Sequence, residues 1–114
     1  MLFKKKFNKN KPPKDTNSVE VRRWMAQKID GRALRYVLER GEDGVDSVIG
    51  KGGVLSLYEG TVSVVCGEKT LFKADADTLH AWEFMSLDGV TLTAVDLMTG
   101  TERTVICYYT YYRD

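Results

Sequence analysis

The side chains best suited to nucleophilic or acid–base chemistry in this 114-residue chain are its one histidine, His80, and its two thiols, Cys66 and Cys107. A histidine works in catalysis beside a nucleophile or an orienting carboxylate, and a metal centre needs more imidazoles or thiolates than are present. His80 lies in Leu79-His80-Ala81-Trp82, where alternation puts it on the face shared with Trp82 and Phe84. A hydrogen-bonded strand histidine is the plainer reading of that position. Both cysteines fall in strand-like runs, Val62–Cys66 and Val105–Tyr109, in which a free thiol behaves as a small buried hydrophobe. The sequence leaves open a pairing of either thiol with His80. Asp75, Asp77, Glu83 and Asp88 form the nearest thing to a carboxylate cluster. Asp75-Ala76-Asp77-Thr78 lacks the further oxygen ligands and the glycine of a calcium loop. No catalytic, cofactor-binding or metal-ligating residue is assigned, and the chain reads as noncatalytic.

Binding chemistry has more candidates. Ile49-Gly50-Lys51-Gly52-Gly53 resembles the Gly-x-x-Gly loop of KH domains, which clamps a nucleic-acid backbone; the resemblance covers about six residues and would make Lys51 a phosphate contact. The residues after Gly53 alternate like two strands around Glu59-Gly60, leaving no room for the second helix of that family, so a glycine-rich loop or bulge with Lys51 at a solvated tip is the competing reading. A phosphate-binding P-loop does not fit: Gly44 stands one residue too far from Gly50, and Gly52 follows Lys51 where a Ser or Thr should hold the metal.

The formal net charge of +1 hides a split. Residues 1–40 carry 12 Lys/Arg against 4 Asp/Glu, and residues 41–114 carry 5 against 12. Six lysines fall at 4, 5, 6, 9, 11 and 14, among asparagines and before or beside Pro12-Pro13, a composition that predicts a disordered basic tail over 1–15. Lys4, Lys5 and Lys6, next to Leu2, Phe3 and Phe7, suit an anionic membrane surface, where each lysine is worth about 1 kcal/mol, or the phosphates of a nucleic acid. A solubilising arm explains them equally well. At the other end, Val105-Ile-Cys-Tyr-Tyr-Thr-Tyr-Tyr112-Arg113 sends Tyr109 and Tyr111 to one side of a strand and Tyr108 and Tyr112 to the other. Tyr109, Tyr111 and Arg113 are taken as the candidate protein-contact residues, since tyrosine and arginine are favoured interface anchors. Coverage of both faces by a helix is the alternative.

These residues need positioning. Asn17 with Glu20 three residues on reads as a helix start, Val21, Trp24, Met25 and Ile29 recur at helical spacing, and Asp30-Gly31 ends the run, predicting a helix over 18–29. Residues 33–40 suit either a continued helix or a strand, with strand preferred because Leu34, Tyr36 and Leu38 alternate with charged neighbours. Further strands are expected at 45–49, 54–58, 61–66, 70–74, 79–87, 90–96 and 103–112, with turns at Glu59-Gly60, Asp88-Gly89 and Thr99-Gly100 whose residues tolerate positive φ. The expectation is an α+β, mostly β fold: one N-terminal helix on a strongly bent antiparallel meander or partly open barrel, with strands adjacent in sequence pairing in space. Residues 16–114 form a single domain.

In strand count and hairpin rhythm, residues 33–112 resemble the pleckstrin-homology-like β-roll, including its small bacterial versions, although there the closing helix follows the last strand. The resemblance implies a module that recognises lipid or protein. Few cysteines, a charged start and no apolar run of signal or spanning length lead to an expectation of a cytoplasmic protein, peripheral to membrane at most. A binding or adaptor domain with a protein partner is the leading expectation, and homodimerisation by sheet-edge pairing is compatible with it. Nucleic-acid binding through the basic N-terminal part and Lys51 is second; a small Cys/His enzyme is third.

Overall fold

The computed structural model describes residues 18–110. The basic tail, with Lys4, Lys5 and Lys6, and the C-terminal Tyr111 and Arg113 lie outside the described residues. The expected class is what forms: among the described residues, one helix and eight strands, arranged as two antiparallel sheets that do not close into a barrel.

Helix α1 (Val19–Ile29) is capped by Ser18, one residue later than expected, whose hydroxyl accepts from the Val21 amide at 3.2 Å. Trp24, Ala26 and Ile29 are its buried residues. It stops at Asp30, and Gly31 takes φ +86°, so the chain can swing back along the sheet. The ambiguous segment is strand β1 (Leu34–Arg40), followed by β2 (Asp46–Lys51), β3 (Val54–Tyr58), β4 (Thr61–Cys66), β5 (Lys69–Asp75), β6 (His80–Glu83), β7 (Gly89–Val95) and β8 (Glu102–Tyr109).

Strand order departs from a plain meander. One sheet runs β2-β1-β8-β7-β6 and the other β3-β4-β5. Neighbours in sequence pair within each group, but β2 does not pair with β3, nor β5 with β6, and β8 returns to lie beside β1, Leu38 opposite Ile106 and Val37 opposite Cys107. The reason is amphipathic. Strands β4, β5 and β7 bury alternate residues and β8 turns Val105, Cys107 and Tyr109 the same way, with Ile106 buried on its other face, and the two inner faces hide from water by closing on each other. Val62, Val64, Phe72 and Ala74 face Val90, Leu92, Val105 and Cys107 across one core, joined by Val37, Leu55 and Ile29. Helix α1 packs on β3 and on β6, the edge of the other sheet, and so bridges the two.

The chain crosses between sheets at Gly52-Gly53, with φ +77° and +118°. A side chain at Gly50 would stand 2.6 Å from Leu71 Cδ1, and one at Gly53 would strike the Val65 carbonyl and the Cys66 sulfur. The edge of β3 is occupied by the segment after α1: the Gly31 amide donates to the Leu55 carbonyl at 2.8 Å, the Leu55 amide to the Arg32 carbonyl at 3.0 Å, and the Leu57 amide to the Asp30 carboxylate at 2.7 Å. Among the described residues, no helix is long and apolar enough to cross a membrane.

Candidate functional site

With Val105, Cys107 and Tyr109 turned to the core, β8 presents Thr104, Ile106 and Tyr108 on the outer face of the five-stranded sheet. Strand β1 joins that face through an irregularity. Its register with β8 shifts between Leu34 and Tyr36, so Leu34 and Val37 both point inward while Tyr36 pairs with Tyr108 and Leu38 with Ile106 on the outside. Phe84, just past β6, arrives from the other flank. The Tyr36 and Tyr108 rings meet edge to face with centroids 6.4 Å apart, and Phe84 meets Tyr108 likewise at 5.2 Å. Phe84 has its place because Gly89 is bare: a side chain there would collide with the ring and with the Cys107 carbonyl. The Arg35 guanidinium stands 5.5 Å from the Tyr36 ring centroid. Together with Leu38, Val48, Ser86 and Asp88 these groups line an open cleft of about 780 Å³.

The surroundings of the cleft are apolar. Val48 and Trp82 are more than half exposed, and the β6–β7 turn carries Met85, fully exposed, and Leu87, held at φ +66°. The expected strand over 79–87 therefore ends at Glu83, and the positive φ of its turn falls on Leu87 rather than on Asp88-Gly89. Glu59-Gly60 does turn with both residues at positive φ, and Gly100 likewise has φ +77°.

Tyr109, expected at a binding face, is on the core side instead. It is buried, its hydroxyl donates to Glu83 Oε2 at 2.8 Å, and the Lys28 ammonium lies 2.8 Å from the other oxygen of that carboxylate. Burial first, and the Glu83 hydrogen bond second, push the Tyr109 hydroxyl well above the ordinary tyrosine range. Arg32 covers its ring at 4.4 Å. Glu83 and Tyr109 thereby tie α1 to the sheet. It is Tyr108 that faces out: the two tyrosines do take opposite faces, and the face chosen for contact is the one turned to the core.

Lys51 is exposed and pairs in register with Tyr36, so it borders the cleft. The glycines around it join two strands of different sheets, not two helices, which removes the KH reading. Their spacing answers to the approach of β2 to Cys66 and Leu71; the Cys66 thiol donates to the Gly52 carbonyl at 2.9 Å.

The chemistry-bearing residues are dispersed. His80 stacks on Trp82, centroids 5.7 Å apart and planes 14° from parallel, on the outer face, opposite Thr93. Cys107 points into the core from the same sheet, its thiol pushed up to about 12 by burial and then by Cys66; burial also raises Cys66. Both thiols are free. Asp75 closes its own turn by accepting from the Asp77 amide at 2.9 Å, and Asp77 takes Arg23 in a two-pronged pair at 2.7 and 2.9 Å. No group of three His, Cys, Asp or Glu among the described residues could hold a metal ion.

Sequence reasoning missed a buried ionic network. Arg103 donates from Nε and Nη2 to both oxygens of Glu39 at 2.8 Å, and from Nη1 to the Leu71 carbonyl at 2.9 Å and to Asp96, which is wholly buried. It also missed Tyr36, Phe84, Arg35 and Asp88 as one constellation. The available signal was Gly89 beside an aromatic-rich run, since a glycine inside a strand marks a close approach.

Comparison with protein-family models, with curated proteins and with solved structures found no match.

Proposed function

We propose that this chain is a noncatalytic binding or adaptor domain that recognises a protein partner with the outer face of its five-stranded sheet. The observation that carries the reading is the edge-to-face cluster of Tyr36, Tyr108 and Phe84, open to solvent beside Arg35. Folded chains rarely leave contiguous aromatic surface exposed without use for it. Tyrosine, tryptophan, methionine and arginine are the residue types enriched at protein interfaces, and the same face adds Trp82, with Met85 exposed in the adjoining β6–β7 turn.

Charge argues for protein over nucleic acid. Residues 41–114, which supply seven of the eight strands, carry 5 Lys/Arg against 12 Asp/Glu, a net −7 that repels a phosphate backbone, while the basic excess is confined to residues 1–40.

The test is a photo-activated cross-linking amino acid placed at position 108, and separately at Tyr58, which is exposed on the other sheet. Irradiation in cells is expected to give discrete cross-linked protein products from position 108 and none of them from position 58. Products that are the same from both positions, or none from 108, overturn the reading.

A further inference from the structure

We infer that the protein partner of this face is a second copy of the chain, packed face to face about a two-fold axis that runs along β8 past Tyr108. The inference rests on the protein-binding reading above and names the partner.

Two observations carry it. The first is the character of the β6–β7 turn. Turn tips normally carry polar residues, yet here, between the cleft-lining Phe84, Ser86 and Asp88, Met85 is fully exposed and Leu87 is held in the left-handed region where glycine is preferred. An apolar tip at that site is suited to contact with another apolar surface.

The second is the distribution of charge across the cleft. Arg35 on β1 and Lys51 on β2 lie to one side of Tyr108, and Asp88, which leads into β7, lies to the other. Strands are about 5 Å apart, so the β1 and β7 positions are separated by about 10 Å with β8 midway. A two-fold axis along β8 exchanges left and right while turning one face onto the other. It brings Arg35 of each copy over Asp88 of its mate, sets Tyr108 against Tyr108, and places the apolar turn of each copy toward the Tyr36 and Val48 side of the other. An axis across the strands would set Arg35 on Arg35 and Asp88 on Asp88. The pattern is thus self-complementary in one orientation only, as an isologous interface requires. A partner of uniform charge would leave one end of the cleft opposed by its own sign.

Sheet-edge pairing is a separate route to a dimer: the β3 edge is taken by residues 30–33 and the β6 edge has only four residues, which leaves β2 and β5 as the edges for it. Charge reversal at positions 35 and 88 distinguishes the two routes because it leaves backbone pairing untouched.

The experiment is sedimentation velocity of the full chain over a range of micromolar concentrations, with Arg35→Glu, Asp88→Arg and the double variant. The wild type is expected to approach twice its 12.9 kDa mass as concentration rises. Each single reversal sets like charges together and should weaken association by about tenfold or more, and the double variant should recover it, because the pair is restored with its signs exchanged. Both positions are exposed, and circular dichroism of each variant confirms its fold. Tyr58→Ser, remote from the face, should leave the dimer unchanged. A wild type that stays monomeric at every concentration overturns the inference, as does a double variant no better than the singles. If the chain is monomeric while position 108 cross-links to a different protein, or to residues 1–17 of its own chain, the second-copy assignment falls; in the first case the protein-binding reading stands. Monomer with no cross-link removes both.

Discussion

Arg103 joins three separate stretches of chain through Glu39, Asp96 and the Leu71 carbonyl, and its guanidinium also stands 5.8 Å from the Phe72 ring centroid. Removing it leaves Asp96 charged and buried, which costs about 3–5 kcal/mol. Arg103→Ala should therefore lower the urea midpoint far more than Glu39→Gln, since Glu39 is half-buried and reaches water. The Arg103 hydrogen bond holds the Glu39 carboxyl below its ordinary value of 4.5. A depressed folded pKa means the stabilisation is complete above that value and is lost as pH falls through the lower, folded one. Urea unfolding from pH 6 downward should show wild type losing stability below about pH 4.5 and Glu39→Gln losing less of it. The thiols report the opposite limb. Cys107 is raised from 9.0 to about 12, so its contribution is complete below pH 9 and is lost as pH rises towards 12. Both thiols should titrate slowly with a mild disulfide reagent in the native protein at pH 8 and rapidly in denaturant; fast native reaction of Cys107 would contradict its burial. That the cysteines are small hydrophobes was legible from the apolar runs around them. The Arg103 network was not, because its members stand 64 and 7 residues apart and nothing local in the sequence marks Asp96 as the buried one of 16 acids.

Strand segments were legible wherever alternation ran undisturbed between turn residues, as in β3 to β5 around Glu59-Gly60. Alternation failed where the backbone adds a residue. The extra residue near Arg35 put Leu34 and Tyr36 on opposite faces despite their even spacing, and Tyr109 was assigned to the wrong side for want of anything that fixes which face is core. The glycines of Ile49-Gly50-Lys51-Gly52-Gly53 have a testable division of labour. Gly52 needs its positive φ but has open space, so Gly52→Ala should cost about 1–2 kcal/mol of left-handed strain. Gly53→Ala adds a collision with the Val65 carbonyl and Cys66, and overpacking brings about 1–3 kcal/mol more. Thermal melts followed by circular dichroism check the order; equal losses would mean the sheets can part there without penalty. At the helix, Ser18→Ala removes the acceptor for the Val21 amide and should cost about 1 kcal/mol.

Across the molecule, the fold class followed from composition and rhythm, while strand order did not, because the closing of β8 against β1 depends on which faces remain to be buried after each hairpin forms. That order has a measurable signature. Amides of β1, β8 and β7, paired on both sides, should exchange with deuterium most slowly, and those of β2 and β6 faster, since each is paired on one side. Edge strands exchanging as slowly as β8 would mean that a second layer covers them. The placement of β8 also bears on synthesis. A ribosome delivers β1 and β2 first and β8 last, so the inner edge of β1 waits, with its amides and carbonyls unpaired, through the making of some sixty further residues, and is filled only after Tyr109 has emerged. During that interval the nascent chain offers a ready strand template to any neighbouring copy, and a pause in translation between β7 and β8 would prolong the hazard.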